Sequence, residues 1–214
     1  MNSNNTSTNK FEQLAYLKQK SIIDASVNEF ANNGFNNASV NKIVEKAGIS
    51  KGSLFNYFKS KILLFNHIYA IALREIKSYL AKVRDESEND EFFTRFSKII
   101  NSGIAFIKKH PRLARIYFRL LNSDDSPQGK KIIQELHSEA VRYFEKFVIE
   151  GIERNELNKE LNPNTTAFLL ESVLNRILQT YYLDLFDPQS DITKENNNWI
   201  NDIVETLKTG LSIK

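Results

Sequence analysis

Ser39-Val-Asn-Lys-Ile-Val-Glu-Lys-Ala-Gly-Ile-Ser-Lys-Gly-Ser-Leu-Phe-Asn-Tyr-Phe58 is the stretch whose reading decides the fold. It reads as two short helices joined by a tight turn. Ser39 is a good N-cap, and Val40, Ile43, Val44 and Ala47 follow at helical spacing. Gly48 sits where a helix closes in the left-handed conformation. Ser50 is a second N-cap, opening a helix of two turns, and Ser60 is a third, just before Lys61. None has the Glu or Gln of a capping box three residues on, where Lys42, Ser53 and Leu63 stand.

The short helix Lys51–Phe58 is too brief to hold itself together in water, so it must dock on something. A turn of about 100° per residue divides its side chains. Leu54 and Phe58 point one way, flanked by Lys51 and Phe55. Gly52, Ser53, Asn56 and Tyr57 point the other. The first set is a docking face. The second lacks bulk and includes a glycine that costs roughly 1 kcal/mol against alanine in a helix interior. A surface of that kind suits a DNA major groove, and two helices so joined have helix-turn-helix geometry.

Over residues 19–65 the sequence resembles the tetracycline-repressor (TetR) type of bacterial transcriptional regulators. The residues that carry the resemblance are Ile22-Ile-Asp-Ala, Phe30, Gly34-Phe35, Ser39-Val, Ile43-Val, Ala47-Gly-Ile-Ser-Lys-Gly-Ser-Leu-Phe, Phe58-Lys-Ser-Lys61 and Leu64. The family usually has tyrosine where this chain has Phe55 and often histidine where it has Tyr57; both contact phosphates there. Phe55 has no hydroxyl and cannot donate that bond, whereas Tyr57 keeps a donor.

Whole-chain properties bound the rest. The chain has 214 residues, 41% of them hydrophobic, enough for a small domain and a larger one. It has no cysteine, which excludes disulfides and thiol chemistry. A reducing, cytoplasmic setting is therefore expected. No apolar run approaches the ~20 residues of a membrane span, so no membrane partner is expected. Residues 1–61 carry eight Lys against four Asp or Glu, a net of +4, while residues 62–214 are close to neutral. The positive excess lies with the helix-turn-helix, where a polyanion would dock.

The expected organisation is all-α. Residues 1–15 form a polar, disordered tail and the start of the first helix. Residues 16–76 form the helix-turn-helix domain, and residues 77–214 form a helical domain for effector binding and dimerisation. Helices are expected at about 11–32, ended by Gly34, and then at 60–84, 91–110, 111–121, 127–154, 163–183 and 193–211. Pro111, Pro127 and Pro163 suit first helical positions. The polar run 85–90 is a surface loop or hinge, and 186–191 is a loop. No segment alternates with period two for long enough to be a strand.

DNA-contacting candidates are Ser39 and Lys61 at helix N-termini, Lys51 and Tyr57 on phosphate, and Gly52, Ser53 and Asn56 on base edges. The resemblance implies a homodimer on a palindromic double-stranded operator, with the last two helices meeting a two-fold mate. Leu169, Val173, Ile177, Tyr181, Trp199, Ile203 and Leu207 are the interface candidates, against the plainer reading of monomer core. It also implies a small-molecule effector in the larger domain. Aromatics are dense there (Phe92, Phe93, Phe96, Phe106, Phe118, Tyr143, Phe144, Phe147), most of them as core. His110, Tyr117, Arg176 and Gln179 are polar groups near apolar stripes that could line a cavity.

No catalytic or metal-binding constellation is found, and no cofactor is expected. His67, His110 and His137 are far apart, no phosphate loop or nucleophile motif occurs, and Asp184, Asp187 and Asp191 lack the calcium-loop pattern. The function expected is a DNA-binding regulator rather than an enzyme. The alternative is a helical ligand-binding or interaction module without DNA binding, with Phe55 as its best support.

Overall fold

A computed structural model of the protein describes residues 10–123, 127–186 and 198–211. Among these the fold is all helical, without strands. The expectations for the tail at 1–9, for Ser126 as the N-cap before Pro127, and for residues 187–197 lie outside the described residues. The helices are α1 (Tyr16–Asn37), α2 (Val40–Ala47), α3 (Lys51–Phe58), α4 (Lys61–Glu86), α5 (Phe92–Lys109), α6 (Pro111–Ser123), α7 (Pro127–Glu153), α8 (Pro163–Leu183) and α9 (Asn198–Leu211).

The chain divides into two compact units. One comprises residues 1–75 and 110–130, the other 76–109 and 131–214. Residues 110–130, expected within the second domain, therefore pack in the first. The reason is the apolar face of α6, whose Ile116 and Leu120 are buried and share a wall with Phe30 and Phe65, with polar bonds at its edge. Arg112 Nη1 donates to Asn28 Oδ1 at 2.9 Å, and Arg115 Nη1 donates to Asn32 Oδ1 at 3.2 Å, both on α1.

In the first unit α1 departs from expectation at both ends. Its regular turns begin at Tyr16, because residues 10–12 form a separate helical turn. Phe11 on that turn is only 3% exposed. Its ring lies 4.8 Å from Phe58 and 5.2 Å from His67, so burial draws it out of line with α1. Gln19 Nε2 fixes the break by donating to the carbonyls of Glu12 and Leu14. At the other end Gly34 (φ 70°, ψ 176°) interrupts the helix, but residues 35–37 continue it for a last partial turn. Only glycine adopts that conformation readily.

The caps fall where the sequence places them. Ser39 Oγ accepts from Lys42 N, Ser50 Oγ from Ser53 N and Ser60 Oγ from Leu63 N. Gly48 closes α2 at φ 65°, its N–H donating to Glu45 O while that of Ile49 donates to Val44 O. Ile22, Phe30, Ile43, Leu54, Leu64, Phe65 and Ile68 form the centre of this unit, all nearly inaccessible. Each contributes about 1.5–3 kcal/mol by leaving water.

The second unit is built from α5, α7, α8 and α9. Its core is aromatic: Phe92 stacks on Phe147 at 4.3 Å, and Phe96 and Phe144 meet edge to face. Gly103 lets α5 approach α8, since a Cβ there would stand 2.8 Å from Leu178 Cδ1. Arg95, though buried, is neutralised by both carboxylate oxygens of Glu150, and its guanidinium lies 4.9 Å from the Phe147 ring centroid. That bond holds the Glu150 carboxyl below its ordinary range. Asn162 caps α8 through Thr165 N, with Pro163 first in the helix. The polar run after α4 is a turn closed by Ser87 and Asp90 N–H bonds, with Ser87 buried, which fits a loop rather than a hinge.

Candidate nucleic-acid interface

Helix α3 is held from one side only. Leu54 is 1% exposed and Phe58 5%, seated in the core of the first unit. Lys51, Gly52 and Asn56 are exposed, while Ser53, Phe55 and Tyr57 are half-buried. A Cβ added at Gly52 would meet nothing nearer than Ser50 Oγ at 3.9 Å. The face is therefore open and low, edged by one lysine and one amide. Ser53 Oγ lies 2.9 Å from Ser50 Oγ, which also accepts from Ser53 N. Tyr57 sits edge-on to Phe11, their centroids 6.2 Å apart.

Ser39 heads α2 with its hydroxyl engaged at the cap. Its own N–H donates to Glu29 Oε1 at 2.9 Å, and Glu29 is a buried carboxylate on α1. Glu29 was missed in the sequence, where it looks like any helical glutamate. Lys61 differs from expectation. Its ammonium donates to the carbonyls of Asn36 and Ala38, at 3.0 and 3.2 Å, and rides over the Phe35 ring at 5.0 Å. It ties down the chain leaving α1 rather than reaching out for a phosphate. The cause is the Gly34 interruption, which leaves carbonyls at the end of α1 in need of donors.

Behind α3, His67 is wedged between Phe11 and Phe58, 5.2 Å from each ring. Burial holds its pKa below the ordinary 6.5, with Arg74 adding to the effect and Glu12 opposing it. The unfolded chain then binds this proton more readily than the folded one. The stability involved is complete above about pH 6.5 and is lost as pH falls through and below that value. In urea melts at pH 7.5 and 5.5, His67→Gln should lose less stability on acidification than the parent; equal losses would refute the assignment.

The expected pocket residues fall in different units. His110 and Tyr117 belong to the first, where His110 Nε2 lies 3.8 Å from Glu75 Oε2 and Tyr117 rests against Phe118 at 5.0 Å. Arg176 and Gln179 belong to the second and bond to each other, with Arg176 exposed. Arg176 thus points outward, not into a cavity.

The expected interface residues also divide. Leu169 is 41% exposed, and Val173, Ile203 and Leu207 are partly exposed. Ile177, Tyr181 and Trp199 are buried within the unit itself. They are core residues here: Lys108 lies over the Tyr181 ring and Phe186 against Trp199. Phe168, next to Leu169, is 63% exposed. Among the described residues there is no cluster of His, Asp or Glu fit to hold a metal, and no helix is long and apolar enough to cross a membrane.

Comparison with known proteins decides what this geometry belongs to. Residues 22–68 match the model of the bacterial regulatory proteins of the tetR family, and residues 90–212 match the tetracyclin repressor-like C-terminal domain. The chain belongs to the TetR family. As a TetR-family member it is a DNA-binding, ligand-responsive transcriptional regulator. It is 25% identical over 168 residues to the HTH-type regulator YvdT of Bacillus subtilis, covering 78% of this chain and 83% of that one. A TetR-family regulator of Chloroflexus aurantiacus superposes with a TM-score of 0.71 at 25% identity, over 97% of this chain and 99% of that one. The regulator FadR of Bacillus subtilis in complex with stearoyl-CoA superposes with a TM-score of 0.69 at 19% identity, over 89% and 98%.

Proposed function

We propose that this TetR-family chain is a cytoplasmic repressor that binds a roughly palindromic operator as a homodimer and leaves it when an effector binds. The observation that carries the reading is α3: a helix docked through Leu54 and Phe58 whose opposite face, at Gly52 and Asn56, is open. Each subunit lays that face in the major groove, with half-sites about one helical turn or a small multiple apart. Lys51, Tyr57 and the N-terminus of α2 at Ser39 meet phosphates, while Gly52, Ser53 and Asn56 lie on base edges. Asn56 suits adenine N6 and N7. Phe55 gives up one phosphate bond, and the net +4 of residues 1–61 makes good that loss through the general field.

Mobility shifts with operator fragments at two salt concentrations test this. Lys51→Ala should weaken binding to every sequence alike and reduce the salt slope by about 1 per half-site. Asn56→Ala should cost about 1–3 kcal/mol and relax preference at one base pair. An unchanged ranking of operator variants after Asn56→Ala would end the base-reading role.

For the second copy, the exposed apolar residues Phe168 and Leu169 on α8, with Val173, Ile203 and Leu207 beside them in type, are the best-supported face. The effector is proposed to be amphipathic, with a long acyl chain. The aromatic second unit and the stearoyl-CoA held by the FadR neighbour support that class. It releases DNA only if it binds the operator-incompatible conformation more tightly than the compatible one.

A further inference from the structure

Three arginines run along α6 at positions 112, 115 and 119, and α1 offers asparagines at 28, 32 and 36. Two rungs of this ladder are made, Arg112 to Asn28 and Arg115 to Asn32. The third is not. The Gly34 interruption changes the course of α1 before Asn36, whose carbonyl accepts from Lys61 instead. Where the third rung would stand, a cleft opens between the end of α1, the start of α4 and α6.

The cleft has a volume of about 100 Å³. A single water needs only ~15 Å³ on that measure, so there is room for a ligand of several heavy atoms. Its apolar wall is Phe30, Phe35, Phe65, Ile116 and Leu120, and Arg119 stands in its lining. The three rings pack at 4.9–6.5 Å, which fixes them as a rigid platform. Among the described residues no carboxylate lines it. Arg119 is exposed, and among the described residues it makes no hydrogen bond or ion pair. A second cation, Lys61, lies over the Phe35 ring.

We infer that this cleft is a binding site for a small aromatic carboxylate, its ring against the Phe35–Phe65–Ile116 wall and its carboxylate on the Arg119 guanidinium. A planar fork and a carboxylate pair through two parallel charge-assisted bonds, and an aromatic ring matches the walls in shape and polarity. A long acyl chain would not fit within that volume. The site lies wholly in the first unit, and it does not depend on the effector reading given above. Asn33 in its lining donates to the carbonyl of Glu29, the residue whose carboxylate receives Ser39 N. An occupant would thus sit two bonded steps from the head of α2.

The test uses the full-length, 15N-labelled protein, with sodium benzoate as probe and benzamide as its neutral isostere. The backbone amides of Gly34, Asn36 and Asn37 should shift along one saturable curve with benzoate. Benzamide should bind at least about tenfold more weakly. Arg119→Gln, an exposed substitution that leaves the fold intact, should weaken benzoate at least about tenfold and leave benzamide unchanged, while Arg119→Lys recovers part of the loss. Equal affinity for the two probes, benzoate binding unaltered by Arg119→Gln, or shifts confined to residues 131–211 would each overturn the proposal. The last of these would leave an effector site in the second unit standing.

Discussion

A Gly52→Leu variant will melt no lower than the parent and will bind operator DNA roughly a hundredfold more weakly or worse. The two halves of that expectation have separate causes. A Cβ at Gly52 meets nothing closer than 3.9 Å, so a larger side chain projects into solvent without strain. Leucine also favours the helical state over glycine by up to about 1 kcal/mol. On DNA the same side chain fills the space through which α3 would approach the base edges. Losing one good contact costs about 1–3 kcal/mol. A dimer loses it twice, and every 1.4 kcal/mol is tenfold. Thermal denaturation beside a mobility shift reads both halves. A Gly52→Leu protein that bound the operator normally would remove α3 from the groove.

Leu54→Ala makes the complementary expectation. Leu54 is 1% exposed and is one of two side chains that seat an eight-residue helix. Truncating a leucine so buried costs about 3 kcal/mol. That is a large share of the ~5–15 kcal/mol that keeps a domain folded. Because α3 is too short to persist undocked, the cost falls first on its own order. Amides of α2 and α3 should exchange with solvent about a hundredfold faster, and binding should drop on specific and random DNA alike. Gly52→Leu should instead spare amide protection. Were Leu54→Ala to bind DNA and resist exchange like the parent, the docking face would have to be sought elsewhere.

The parts of the chain legible in its sequence are those governed by near neighbours. Ser39, Gly48, Ser50 and Asn162–Pro163 act within one turn of themselves, and each occupies the cap or first-turn position its chemistry suits. The inward face of α3 was also readable, because eight residues with two large apolar side chains allow few arrangements. What could not be read depends on distant partners. Phe11 continues the helical pattern of α1, yet its burial against Phe58 and His67 breaks the helix at residues 13–15. Lys61 looks like a free surface cation until the carbonyls stranded by Gly34 are seen to need it. On α8 the apolar set runs round more than one side. Nothing local distinguishes Ile177 and Tyr181, which are core, from Phe168 and Leu169, which are exposed. That sidedness is set by α5, where Gly103 meets Leu178 and Lys108 lies over Tyr181, and is absent from the α8 sequence taken alone.

The company α6 keeps has a consequence for how this protein can be taken apart. Its Ile116 and Leu120 share a wall with Phe30 and Phe65, whereas 34 intervening residues, 76–109, belong to the other unit. The operator-reading head is therefore not a continuous cassette. Recombination that cut the gene after codon 76 would carry off three helices and part of a fourth but strip α1 of its arginine ladder. A transplant to another scaffold has to bring residues 110–130 along, stitched in at a second point.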